Sequence, residues 1–300
     1  MKKRLSGSLL LLLATLIWGS AFVSQSIGMD HIGPYTFQAI RCAMATIGLL
    51  PIIWLFDRKK DDGKTFLSRF CDKKLWLAAV CCAVPLCIAV NLQQIALVAT
   101  DAGKAGFLTA MYILFVPIFG LIIKRRPSPM IPVSVAVGIV GLYFLSWSGN
   151  MTISGGDLLL LGCAAAFAVQ ILFIDHFAPQ VDALRLNCLQ AGLCAVGSAV
   201  FMLFTETPTW DGIWEAMLPM CHAGFLSMGV AYSLQILGQK YLEPAPASLI
   251  MSLESVFAAV FGWMFLSEQM SNSEFFGCVL IFIAVILSQI PIKVKEKKAT

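Results

Sequence analysis

Residues 75–99 read LWLAAVCCAVPLCIAVNLQQIALVA, a stretch without one charged side chain. At 1.5 Å per residue, a helix of about 20 apolar residues crosses the roughly 30 Å hydrocarbon core of a bilayer. Lys73 and Lys74 close the stretch on one side and Asp101 follows it on the other. In water such a helix would have no polar face to turn outward. Lipid solvates apolar side chains on every side, so there it needs none. The fold is therefore read as all-α and membrane-spanning.

The rest of the chain is of the same kind. Apolar residues make up 59% of the 300 and charged residues 13%, with a mean hydropathy of +0.83; a soluble domain carries roughly 25% charge. Apolar runs bounded by charge, Pro and Gly predict ten spans, near 5–27, 35–56, 75–99, 102–123, 130–149, 156–176, 183–204, 213–238, 246–267 and 273–291. The run after Lys2-Lys3-Arg4 is longer than a leader's apolar core of about 7–15 residues and ends in no A-x-A site, so it is read as helix one. Nine of the ten cysteines fall inside spans and only Cys71 lies in a polar loop. None has metal spacing, and they read as small packing residues.

Basic residues test the span count. With ten spans, 19 of the 21 lie on one side: at the start, in the loop 57–74, at 124–126, at Arg185 and Lys240, and at 293–298. The opposite connections, such as Ser148–Gly156, Thr205–Gly212 and Ser267–Ser273, carry none. Lys104 is the exception in a connection, and Arg41 lies inside span two. By the positive-inside bias both termini are expected in the cytoplasm, in a bacterial plasma (inner) membrane.

Sliding the sequence by 142 positions lays Ala89-Val-Asn-Leu-Gln-Gln on Ala231-Tyr-Ser-Leu-Gln-Ile. The same shift pairs Ala105 with Ala247, Phe115 with Phe257 and Phe119-Gly120 with Phe261-Gly262, and it carries spans three and four onto eight and nine. The chain is thus read as two five-helix repeats, 1–150 and 151–300. Five is odd, so the second half is inverted relative to the first. Inverted repeats are a ground plan of secondary transporters, with the substrate site near the midplane.

Trp18-Gly19-Ser20-Ala21-Phe22 resembles the W-G-S-x-F signature of the EamA family in the drug/metabolite transporter superfamily. Pro34 with Arg41, Leu108-Thr109 with Pro117, and Pro246-Ala-Ser-Leu-Ile-Met-Ser-Leu-Glu-Ser-Val-Phe-Ala-Ala followed by Glu268 are similar to later motifs of that family. Ser255 departs from the pattern, standing where the family usually has proline. The resemblance implies ten helices in an inverted five-plus-five repeat. It also implies export or exchange of amino acids, related metabolites or drugs.

Charges in the bilayer core cost about 2.5–3.5 kcal/mol each on insertion scales and usually face a cavity or a partner. Glu254 lies about eight residues into span nine, either as a cavity carboxylate or as a structural partner of Arg41. Arg41 could hold a carboxylate through its forked donors, or snorkel its head to the nearer surface. Asn91, Gln93 and Gln94 in span three, with Tyr232 and Gln235 in span eight, form a candidate polar lining. Trp18 and Tyr112 would add aromatic walls for a small zwitterion. His222 is read as a satisfied helix contact. Pro51, Pro85, Pro117 and Pro219 are read as kinks within spans.

No H-E-x-x-H, P-loop or G-x-S-x-G motif is present, and acids, bases and nucleophiles are sparse, so neither an enzyme nor a direct ATP-driven pump is read here. Nothing suggests the charged or carbonyl rings of a channel. The expected function is a secondary transporter exporting amino acids or related small metabolites by alternating access; the alternative is a lipid carrier or flippase of similar build. The expected partners are a small-molecule substrate and the lipid bilayer, with no nucleic acid, no cofactor and no metal, in a monomer or homodimer.

Overall fold

The computed structural model describes residues 2–59, 63, 65–100, 102–124, 128–145, 154–265 and 271–290. All regular structure among them is helical. The first half runs α1 (Lys2–Met29), α2 (Pro34–Asp57), α3 (Phe66–Phe70), α4 (Lys73–Leu97), α5 (Ala102–Ala110), α6 (Tyr112–Ile122) and α7 (Met130–Leu145). The second runs α8 (Gly155–Phe177), α9 (Ala183–Thr205), α10 (Trp210–Glu215), α11 (Met217–Cys221), a π-helix (His222–Ala231), α12 (Tyr232–Gln239), α13 (Pro244–Met251), α14 (Leu253–Phe265) and α15 (Asn272–Ser288).

Among the described residues, eight helical segments are long and apolar enough to cross a membrane. The fifth and tenth predicted spans appear as the shorter apolar helices Met130–Phe144 and Asn272–Ser288. Residues 146–149 and 291, at the ends of those two predictions, lie outside the described residues, as does the boundary expected at 150. So do Asp101, Lys60, Lys64, Arg125, Arg126, Glu268 and the terminal lysines.

Three predicted spans differ from single α-helices. Span four divides at Met111 into α5 and α6, and span nine divides at Ser252 into α13 and α14. At both breaks the backbone ladder tightens, Leu114 N–H donating to Met111 O and Ser255 N–H to Ser252 O, as in a turn of 3₁₀ helix. Span eight becomes Met217–Gln239, preceded by the separate α10. Its middle is π-helical, closing with a bond from Tyr232 N–H to Ser227 O. Predicting one α-helix there overlooks that Pro219, Gly224 and Gly229 leave the ladder poorly defended.

The second half follows the plan of the first, except that the single α4 is answered by α11, the π-helix and α12. The short α3 and α10, each capped by a threonine (Thr65, Thr209), follow the second helix of each half. The divided helices α5–α6 and α13–α14 correspond, and so do α7 and α15, which pack together. Met130 and Asn272 begin those last helices 142 positions apart, whereas Pro34 and Ala183 begin α2 and α9 149 positions apart.

The equivalent helices α2 and α9 run antiparallel against each other. Glu206, just past α9, accepts from the N–H groups of Tyr35 and Thr36 (2.8 Å each) and from the Thr36 hydroxyl (2.6 Å), capping α2. Gly33 stands beside it, where a Cβ would collide with the Glu206 carboxylate. At the other end Asp57, the last residue of α2, pairs with Arg185 in the first turn of α9. Antiparallel equivalents are what an inverted repeat requires.

Apolar side chains cover the outside, among them Phe204, Leu203 and Ile122, each more than two-thirds exposed. Tryptophans mark both ends: Trp210 and Trp214 on α10, and Trp54 and Trp76 opposite. Trp54 underlies the Arg58 guanidinium at 3.7 Å, and Trp76 Nε1–H donates to Phe70 O. Such belts sit at headgroup level. Lys104, the basic exception, pairs with Asp157 at 2.8 Å; Asp157 also closes a capping box with Ser154 at the start of α8.

Candidate functional site

The signature Trp18–Phe22 shows how α1 builds its share of the centre. Trp18 and Phe22 lie one turn apart and both line an internal cavity. Gly19 is needed for close approach, because a Cβ there would run into the Cβ of Phe257 on α14. Ser20 and Ser24 hold the two ring nitrogens of His222 at 3.2 and 3.0 Å, so His222 is the satisfied helix contact expected.

The cavity lies between the two halves and measures about 30 Å³, room for a water molecule or two. Arg41 and Glu254 both line it. The Arg41 side chain does not snorkel: it is 2% exposed. Its Nε donates to Gln38 Oε1 at 2.6 Å and its Nη1 to Gln25 Oε1 at 2.7 Å. Those amides are held in turn, Gln38 by Val90 O and Gln94 Oε1, and Gln25 by Ala21 O. Among the described residues, the acceptors bonded to this cation are neutral amide oxygens.

Glu254 is 6% exposed and does not pair with Arg41. Its Oε1 accepts the Tyr112 hydroxyl at 2.9 Å. No ion pair to Glu254 occurs among the described residues. A guanidinium and a carboxyl group thus share one small cavity, each supported by neutral polar groups, without bonding to each other. Buried charges are costly in this state unless something else completes them.

Repeat symmetry organises the rest of the lining. Tyr112 and Glu254 are 142 positions apart, so their hydrogen bond joins equivalent positions of the two halves. Gln93 and Gln235, another pair at that separation, both line the cavity, and Gln93 donates to Thr109 at 3.1 Å. Trp18 and Phe22 correspond, at the 149 separation of the first two helices, to Phe167 and Ile171, which also line it. Trp18 meets Tyr232 edge-on at 5.0 Å, and Tyr112 meets Phe167 at 6.5 Å.

Of the nine residues predicted, seven line the cavity: Trp18, Arg41, Gln93, Tyr112, Tyr232, Gln235 and Glu254. Gln94 stands one shell back, in the Arg41 network. Asn91 faces away and bonds Ser198 of α9 at 2.9 Å, which makes it helix glue. Sequence reasoning missed Gln25 and Gln38, the partners of Arg41; their spacing from it, 16 and three residues, becomes meaningful only once α1 and α2 are side by side. It also missed Phe167 and Ile171, since one ungapped shift of 142 cannot find pairs that repeat at 149. Among the described residues no group of three or more His, Cys, Asp or Glu side chains could hold a metal ion.

Comparison with known proteins agrees with this architecture. The sequence profile of the EamA-like transporter family matches residues 5–147 and again residues 154–289. An "Uncharacterized transporter" of Archaeoglobus fulgidus is 32% identical, over 95% of this chain and 86% of its own. The "Uncharacterized transporter YoaV" of Bacillus subtilis is 21% identical over 91% and 93%. The "Threonine/homoserine exporter RhtA" of Salmonella typhimurium is 29% identical over 57% of each chain. A solved crystal structure superposes with a TM-score of 0.78 at 18% identity, covering 95% of this chain and 96% of the other, a likeness of fold.

Proposed function

This chain belongs to the EamA-like transporter family, and we propose that within it the protein is a secondary exporter of amino acids or closely related small zwitterions, working by alternating access. The observation that carries the reading is the central cavity in which Arg41 and Glu254 stand unpaired with each other. An α-amino acid brings the two charges such a site lacks. Its ammonium would bond Glu254, and its carboxylate would bond the Arg41 guanidinium, whose Gln25 and Gln38 partners hold it in place. Charge-assisted bonds of this kind are about twice as strong as neutral ones. The partial likeness to a threonine/homoserine exporter supports the same substrate class.

The remaining parts of the reading follow from charge placement and repeat symmetry. The basic loops put both termini in the cytoplasm of a cell whose plasma membrane holds the protein. The halves, 1–150 and 151–300, exchange conformations so that the cavity opens to each side in turn. A cavity of about 30 Å³ must widen to admit an amino acid. Breaks at Met111 and Ser252, one in each half and both beside the cavity, are where the divided helices bend.

The lipid-carrier alternative has one observation of its own, an apolar groove between α6 and α8 lined by Phe119, Ile122, Leu172 and Phe173. It leaves the two cavity charges without a purpose. Both readings meet the same experiment. Cells expressing wild type or Glu254→Gln at matched membrane levels are loaded with mixed amino acids and metabolites, and the medium is profiled by mass spectrometry over minutes. Faster appearance of amino acids with wild type, reduced by the mutation, is expected. An unchanged amino-acid profile contradicts the reading, and a change confined to lipids favours the alternative.

A further inference from the structure

Lys104 is the basic residue in a connection that departs from the one-sided pattern of the others. Its Nζ lies 2.8 and 2.9 Å from the two carboxylate oxygens of Asp157, joining the start of α5 in the first half to the start of α8 in the second. The Asp157 side chain is 9% exposed and also accepts the Ser154 N–H at 2.8 Å. The pair closes a seam where α8 begins against the end of α4. A Cβ on Gly156 would meet Thr100 Oγ1 at 2.7 Å, and Leu160 clusters with Ala96, Leu97 and Phe22. Phe22 lines the cavity, so this seam is its cover on that side.

The repeat supplies the comparison. At the opposite end of the molecule the equivalent seam is the start of α1 against the end of α12. A Cβ on Gly7, equivalent to Gly156, would meet Gly238 O at 2.8 Å, and one on Gly238, equivalent to Ala96, would meet Leu11 at 2.9 Å. Close packing is thus kept at both seams, and the ion pair is not. The positions equivalent to Asp157 and Lys104 are Ser8, whose hydroxyl donates to Arg4 O in its own helix, and Pro246. Leu97 is answered by Gln239, whose Oε1 is buried without a hydrogen-bond partner among the described residues. A buried acceptor left unmet favours a state that hydrates it, whereas the Lys104–Asp157 pair favours closure.

We propose that Lys104 and Asp157 form a latch on the outer seam, so that the empty transporter holds its outer side shut and opens its cytoplasmic seam more readily. That is the order in which an exporter loads and releases. Opening the outer seam has to part an ion pair between the halves. Opening the inner one parts apolar contacts and gives Gln239 water. The inference rests on the orientation and alternating access of the proposed function, and is independent of what the cavity carries.

The test is labelling by a membrane-impermeant maleimide, on intact cells for Leu160→Cys at the outer seam and on inside-out vesicles for Leu11→Cys at the inner one. Mass spectrometry reads the adducts at positions 160 and 11 separately from those on native cysteines. Lys104→Gln, and Asp157→Asn, whose amide oxygen can still cap α8, are each expected to raise labelling at 160 about fivefold, the scale of a partly exposed ion pair. Each is also expected to lower labelling at 11, and Lys104→Arg to leave both as in wild type. The fall at the inner site separates a shifted equilibrium from a frayed helix start. Hydrogen exchange in nanodiscs, on chains without added cysteines, repeats the comparison: faster at 102–110 and slower at 244–251 when the pair is broken. A rise at the outer seam with the inner one unchanged overturns the latch, and so does no change at either. Labelling of position 160 from the cytoplasmic side alone overturns the orientation and the outer latch together. No amino acid takes part in these readouts, so the substrate reading is tested separately.

Discussion

Arg41 is a guanidinium whose partners among the described residues are the amide oxygens of Gln25 and Gln38. Its planar fork lets Gln25 and Gln38 hold it from one side while the rest of the head stays directed at the cavity. A lysine has a point charge in place of the fork and cannot keep both bonds and face a carboxylate. Arg41→Lys is therefore expected to cut export about 100-fold, or about 2.7 kcal/mol of transition-state stabilisation, with the protein still inserted; initial rates in proteoliposomes measure it. Tyr112→Phe removes the hydroxyl that braces Glu254 and should cost about tenfold in the same assay. Gly19→Ala acts through packing. A Cβ against Phe257 forces α1 from α14, and overpacking of this kind costs about 1–3 kcal/mol, to be read as a lowered melting temperature in detergent. The sequence made Arg41, Glu254 and Trp18 conspicuous because each is expensive or unusual inside a span. It could not show that Arg41 and Glu254 avoid each other, since that depends on which faces α2 and α14 turn inward.

Among the elements, α2 and α9 show best how the halves hold one another. Asp57 at the end of α2 binds Arg185 at the start of α9, and Glu206 at the end of α9 binds the start of α2. Asp57 and Glu206 are 149 positions apart, as are Thr36 and Arg185, so the two clamps are one interaction repeated at opposite ends of the pair. The Asp57–Arg185 clamp is nearly closed to solvent, its side chains 8% and 4% exposed. Removing one partner of a buried pair typically costs about 3–5 kcal/mol. Asp57→Asn should therefore lower the melting temperature in detergent more than Glu206→Gln, whose backbone donors can turn to water; equal small shifts would show that the clamps carry little. The positions of α1, α2, α4, α8 and α9 were legible from apolar length alone. The breaks at Met111 and Ser252 and the π-helix were not, because each is a local change of ladder whose residues read as ordinary apolar helix. Ser255 illustrates the point. In place of a proline kink, its hydroxyl donates to Gly106 O and ties α14 to α5, with the break three residues earlier.

At the scale of the whole molecule, the two halves share a plan and differ where function asks for it. Gln93 and Gln235 preserve the symmetry of the cavity, while Tyr112 against Glu254 breaks it, placing a phenol in one half and a carboxylate in the other. A cavity made by two related halves can be symmetric in shape and still be polar in direction, with a guanidinium and a carboxyl group contributed by different halves. The repeat was legible in sequence through spans three, four, eight and nine; the seven-residue difference in offset hid the first two helices. On the proposed function, the cavity recognises a zwitterion through Arg41 and Glu254. The most direct measurement is export from proteoliposomes of an α-amino acid, its decarboxylated amine and its deaminated acid, by wild type, Arg41→Gln and Glu254→Gln. Wild type should move only the amino acid, with Arg41→Gln gaining relative preference for the amine and Glu254→Gln for the acid. Wild type moving all three alike, or both variants keeping the wild-type order of preference, would contradict recognition through these two side chains.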